Sequence, residues 1–171
     1  DAGYDSEENM DWIEKRGSTV CIKPREYEYR KTSAFKKKIG HRSNMVYDAD
    51  SDTYTCAKGR KLHFVTEKKQ RDRASGYERT VRMYQCENCQ YCGKRNQCQP
   101  TRTGKKPKQN KMIQYNPYYQ SLLDKDYKFI QSKKGIQLRI NRSIQIEGAF
   151  GTGKGNYEYR RVRHKGKESV E

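Results

Sequence analysis

Five of the six cysteines, Cys56, Cys86, Cys89, Cys92 and Cys98, crowd into one part of this 171-residue chain. That crowding constrains the fold more than any other feature. Thiols spaced C-x2-C-x2-C-x5-C, with one more ahead of a run of candidate strands, either belong to a secreted disulfide scaffold or staple a small sheet through a metal. The chain shows no charged-then-apolar leader, which favours metal binding in a reducing cytosol. Four thiolates suffice for tetrahedral zinc, so four of the five are candidate ligands, and the spacing does not choose among them. Iron–sulfur ligation uses a similar run but in a more apolar setting. Reduced thiols without metal are the plain alternative. Cys21, inside the apolar run Thr19-Val20-Cys21-Ile22, reads as core.

Lys and Arg total 38 against 21 Asp and Glu, a formal charge of +17, and the basic residues recur from Lys23 to Lys167. Such a charge repels itself unless a polyanion screens it, so nucleic acid is the expected partner. The 14 tyrosines interleaved with these cations add stacking and hydroxyl contacts. No apolar run approaches the roughly 20 residues needed to span a bilayer, so no membrane partner is expected and the location is read as cytoplasmic. At 32% hydrophobic residues and a mean hydropathy of −1.33, the chain has too little apolar material for a thick core along its whole length. It opens on Asp rather than Met and reads as part of a larger protein.

The pattern divides into three parts. Residues 1–40 read as strand end, helix and strand: Asp5 as N-cap with Glu8 completing a capping box, Met10 and Ile13 on one face, Gly17 at the helix end, then Thr19–Ile22 as a buried strand. Residues 41–114 read as an inserted β-meander with the Cys cluster and a basic loop at 101–111, its strands at Met45–Tyr47, Thr53–Cys56, Leu62–Val65 and Tyr77–Tyr84. Residues 115–171 read as helical, with Ile136, Ile140, Ile144, Glu147 and Lys154 near one stripe. Gly151, Gly153 and Gly155 each cost about 1 kcal/mol relative to Ala in a helix, so the helix is expected to fray past Glu147 or the element to be decaying.

At Asp1-Ala2-Gly3-Tyr4-Asp5-Ser6, and again at Arg142-Ser143-Ile144-Gln145-Ile146-Glu147 with Lys154, the chain resembles bacterial insertion-sequence transposases of the DDE superfamily. In that signature Arg139 takes the place of a Tyr, and the gap from Arg142 to Glu147 is one residue longer than usual. Tyr54-Thr55-Cys56 with Gly59, and the later cysteine run, resemble the branch with an inserted Cys-bearing sheet. The basic tail with Arg160 and Arg161 resembles the helix that follows the last Glu.

The resemblance implies an α/β fold, a partial RNase H-like core interrupted by an antiparallel, Cys-rich β subdomain. It implies Asp1 and Glu147 as catalytic ligands of Mg²⁺ or Mn²⁺, and Arg142, Lys154, Arg160 and Arg161 as DNA contacts. Homo-oligomers acting on insertion-sequence ends and target DNA are implied as the assembly, and a structural zinc at the cysteines is read beside it from their spacing alone. The chemistry is hydrolysis and strand transfer at phosphodiesters, for which two metals activate the attacking oxygen and stabilise the leaving one. The first catalytic Asp is expected upstream of Asp1, so the fragment alone is expected to be inactive.

The competing class is a non-catalytic, zinc-stapled nucleic-acid-binding module, for which charge, tyrosines and cysteines suffice. Gly148-x4-Gly153-Lys154 nearly spells a P-loop, but Gly155 stands where a Mg²⁺-holding Ser or Thr is required. Asp48, Asp50 and Asp52 suggest a calcium loop, yet Gly59 stands where its bidentate Glu belongs, so a solvated hairpin turn is expected.

Overall fold

Helix α1 (Glu7–Lys15) begins one residue later than the capping-box reading placed it. Ser6 is the N-cap and its hydroxyl accepts from the Asn9 N–H at 3.2 Å, while the Asp5 carboxylate turns away to accept from the Arg25 N–H at 2.7 Å. The helix ends as expected at Gly17, whose φ of +69° suits glycine. There Ser18 N–H returns to the Ile13 carbonyl and Gly17 N–H to Glu14, the paired bonds of a Schellman stop. The computed structural model describes residues 4–101, 107 and 109–155.

Thr19–Ile22 is not a strand. Its β-branched, apolar character is genuine, but a strand needs a ladder partner, and the Ile22 N–H is instead taken by the Asp126 carboxylate at 3.0 Å. The first strand end of the strand–helix–strand reading lies outside the described residues, and its second strand is corrected to an extended segment after the helix, followed by a 3-10 turn at Tyr29–Lys31 and the one-turn helix α2 (Ser33–Lys36).

Five strands follow in a meander: β1 (Val46–Asp48), β2 (Thr53–Thr55), β3 (Lys61–Arg71), β4 (Glu78–Cys86) and, after the short helix α3 (Arg95–Cys98), β5 (Met112–Tyr115). Every neighbouring pair is antiparallel and the spatial order equals the sequence order. The expected hairpins are all present, and β3 runs well past Val65, with a register shift between Phe64 and Thr66. β5 was not expected. Four residues with one fully apolar member give a weak period-2 signal, and what makes them a strand is the open edge of β4, to which Ile113 pairs opposite Tyr84. β4 is buried on both faces, with Val81 and Met83 on one and Tyr84 and Cys86 on the other.

One core cluster, of Met45, Tyr54, Leu62, Tyr84, Cys86, Cys89 and Ile113, fills the cysteine side of the sheet. A second joins Met10 and Val20 to Leu122 and Leu123 of helix α4 (Pro117–Gln131). Asn116 caps α4, accepting from the Tyr119 N–H, and Pro117 takes the first turn. Ser132 breaks the chain between α4 and the long helix α5 (Lys133–Gly155), its hydroxyl accepting from the Gly135 N–H. Helix α5 does not fray after Glu147. Propagating a formed helix gains one hydrogen bond per residue fixed, whereas nucleation is the costly step, so the glycines weaken α5 without ending it.

Candidate functional site

Glu147 lies in α5 and is solvent-exposed. It is the only acidic residue of that helix, which also carries Lys133, Lys134, Arg139, Arg142 and Lys154. One turn earlier, a groove between α5 and the extended segment is lined by Cys21, Lys23, Leu138, Arg139, Arg142, Ser143 and Ile146, with three cations and no carboxylate among these residues. Arg142 lines this groove and lies five residues before Glu147 on the same helix. Lys23 and Arg139 are additions that sequence reasoning missed, because the groove exists only once the segment before Pro24 packs against α5. Arg139 Nε is buried and has no hydrogen-bond partner among the described residues. Asp1, Arg160 and Arg161 lie outside the described residues, as does the Lys154 side chain. Glu147 supplies at most two oxygen ligands, and neither α5 nor the groove beside it holds a second carboxylate, so Glu147 does not form a divalent centre by itself.

A second acidic pair is structural. Glu7 and Asp11, one turn apart on α1, are both buried. Asn116 donates to Glu7 at 2.7 Å, and Tyr118 and Lys15 donate to Asp11 at 2.5 and 2.6 Å. Burial pushes the Glu7 carboxyl up; at Asp11 burial acts the same way, but the bonds from Lys15 and Tyr118 outweigh it and hold the carboxyl below its ordinary value. Tyr118, sharing its proton with Asp11, is pushed up to about 12. These carboxylates fasten α1 to the start of α4.

Asp126 is nearly inaccessible and one of its oxygens has no hydrogen-bond partner among the described residues. Burial raises its carboxyl against the lowering effect of the Ile22 N–H. A carboxyl whose folded pKa lies above its unfolded value, about 3.9, holds its proton more tightly when folded. Its ionisation therefore opposes folding, and stability falls as pH rises from about 4 through the folded value. Asp126→Asn keeps the acceptor for Ile22 and removes the charge. Its thermal midpoint at pH 7 is expected to equal or exceed the parent's; a clear drop there would sink this reading.

The five clustered thiols converge. Cys56 follows β2, Cys86 ends β4, Cys89 and Cys92 lie in the loop after it, and Cys98 ends α3; all five line one cavity of about 20 Å³ together with Ile39 and Lys111. The Lys111 N–H donates to Cys89 Sγ at 3.2 Å, and Cys86 Sγ donates to the Asn88 carbonyl at 3.5 Å. Burial pushes the Cys86 thiol up to about 12, and Cys98 is raised by burial as well. All six cysteines are free thiols. Among the described residues no three His, Cys, Asp or Glu side chains stand in a ready ligating arrangement. Cys21 is apart, half-buried against α5. The Asp48–Asp52 turn is closed by its own hydrogen bonds, as expected for a hairpin turn.

The family described as Transposase DDE domain matches residues 55–171, from the end of β2 through α5 and beyond. The chain belongs to that family, a family of transposases whose substrate is DNA. Glu147 and all five clustered cysteines fall within the matched residues and Asp1 does not. No curated protein and no solved structure matches the chain. Among the described residues no helix is long and apolar enough to cross a membrane.

Proposed function

We propose that this chain contributes the last acidic residue, Glu147, to a DDE-type site that cleaves DNA strands and transfers them at the ends of a bacterial insertion sequence. The observation that carries the reading is the placement of Glu147 as the lone carboxylate of a cationic helix, one turn from the groove of Lys23, Arg139 and Arg142. A phosphodiester is anionic, and guanidinium forks hold its oxygens in a fixed geometry. Arg142 and Arg139 would hold the backbone of the scissile strand, and Lys154, Arg160 and Arg161 would extend that contact along the duplex. Asp1 and Glu147 would be carboxylate ligands of Mg²⁺ or Mn²⁺, which supplies activation of the attacking oxygen and charge neutralisation at phosphorus when bound. The partial RNase H-like core, the homo-oligomeric assembly and the cytoplasmic location belong to the same reading.

The test is Glu147→Gln in the full-length protein, which keeps the shape and removes the charge. Losing one metal ligand costs about 3 kcal/mol of transition-state stabilisation, so Mg²⁺-dependent cleavage of the element's ends should fall roughly 100-fold while DNA binding persists. Undiminished cleavage would remove Glu147 from the site. Binding with no cleavage by either protein would favour a non-catalytic DNA-binding module.

A further inference from the structure

The cysteine cavity is unexplained by DNA chemistry. Its volume, about 20 Å³, is that of a space for one water or one ion. Its wall holds two buried donors, Arg95 Nε and Gln99 Nε2, which have no hydrogen-bond partner among the described residues. Lys58, Arg60, Lys94, Arg95 and Lys111 also line it. Five cations crowded around the sulfurs repel one another, and buried donors without acceptors lose their hydration with no bond in return. Thiolates around a divalent ion answer both problems: four of them with Zn²⁺ carry a net charge of −2, and their sulfurs accept from N–H donors.

We propose that Cys56, Cys89, Cys92 and Cys98 bind one structural zinc in this cavity, and that Cys86 is not a ligand. The choice follows from placement. Cys56, Cys89 and Cys92 lie in the turns after β2 and β4, and Cys98 at the end of α3, outside the strand ladders. Cys89 Sγ already accepts the Lys111 N–H, the bond expected of a metal thiolate. Cys86, unlike the other four, is held in a strand ladder, opposite Leu62 in β4, and it directs its S–H to the Asn88 carbonyl. The ion gathers the four sulfurs that line the cavity. It joins α3 to the sheet, a link the hydrogen-bond ladder does not make.

The assignment holds whether or not Glu147 is catalytic, because metal content is read without DNA. The full chain, purified without chelators, should carry about one zinc, with an X-ray absorption first shell of four sulfurs at about 2.3 Å. Cys92→Ser and Cys98→Ser should lose the metal, and Cys86→Ser should keep it. Arg95→Met, which removes an unpartnered buried donor from the cavity wall, should weaken zinc roughly 10-fold in a chelator competition. Should Cys86→Ser fail to fold, the wild-type first shell and the Arg95→Met competition decide the matter. A zinc-free protein with all its thiols titrating in native buffer overturns the proposal. So does a first shell containing nitrogen or oxygen, or loss of zinc in Cys86→Ser with retention in Cys56→Ser.

Discussion

Gly135→Ala is expected to destabilise the protein by about 3 kcal/mol, a drop of roughly 10 °C in thermal midpoint for a chain of this size. A methyl at Gly135 would stand 2.1 Å from the Phe129 carbonyl oxygen and 2.9 Å from Ile130 Cα. Both are backbone atoms at the end of α4, and Ile130 is fully buried, so neither can swing aside. The only relief is to tilt α5 away from α4, which also moves Glu147. The control lies in the same helix: Gly148, Gly151 and Gly153 have nothing within 4 Å of an added Cβ. Gly151→Ala should therefore stabilise by about 0.5 to 1 kcal/mol, through helix propensity and a less flexible unfolded chain. Equal effects at Gly135 and Gly151 in thermal melts would refute the close α4–α5 approach.

The second large effect is expected at Asp52. Its carboxylate accepts from the Tyr47 and Tyr84 hydroxyls at 2.7 Å each and pairs with Arg82 at 2.7 Å. One side chain in the β1–β2 turn thus reaches across to β4, two strands away in the sheet. Asp52→Ala leaves the buried Tyr84 hydroxyl without its acceptor and Arg82 without its counter-ion, at a cost of about 2 to 3 kcal/mol. The pH dependence has a definite sign. Burial would raise this carboxyl, but the bonds from Tyr47 and Tyr84 and the charge of Arg82 outweigh it and hold the pKa below the usual aspartate value. A depressed folded pKa means the contribution is complete above the unfolded value, about 3.9, and is lost as pH falls through the folded one. Urea titrations should show parent and Asp52→Ala far apart at pH 6 and converging as pH falls below the unfolded value. A constant gap across that range would show that the carboxylate charge is not what the turn uses.

Much of the chain was legible because local rules and tertiary demands agree. Gly17 marks a helix end by backbone chemistry that needs no distant partner. The strands at Val46–Asp48, Thr53–Thr55 and Glu78–Cys86 follow side-chain alternation. Asp5 and Thr19–Ile22 were misread for one reason: each has a local preference, for capping and for strand, that a partner far along the chain overrides. Asp5 is claimed by Arg25 and Ile22 by Asp126.

By itself the sequence determined the hairpins of the meander, the helical stretch from Pro117 to Gly155, the excess of positive charge and the crowding of the cysteines, since all of these reside in spacing and composition. Only the tertiary structure decided that β5 completes the sheet, that Lys23 and Arg139 join Arg142 in a groove beside Glu147, and that Cys56 meets Cys98 across a cavity whose wall holds Arg95 and Gln99. Those are contacts between segments far apart in the chain. Their energies depend on what each segment leaves uncovered or unpaired when the others have packed, which no local pattern records.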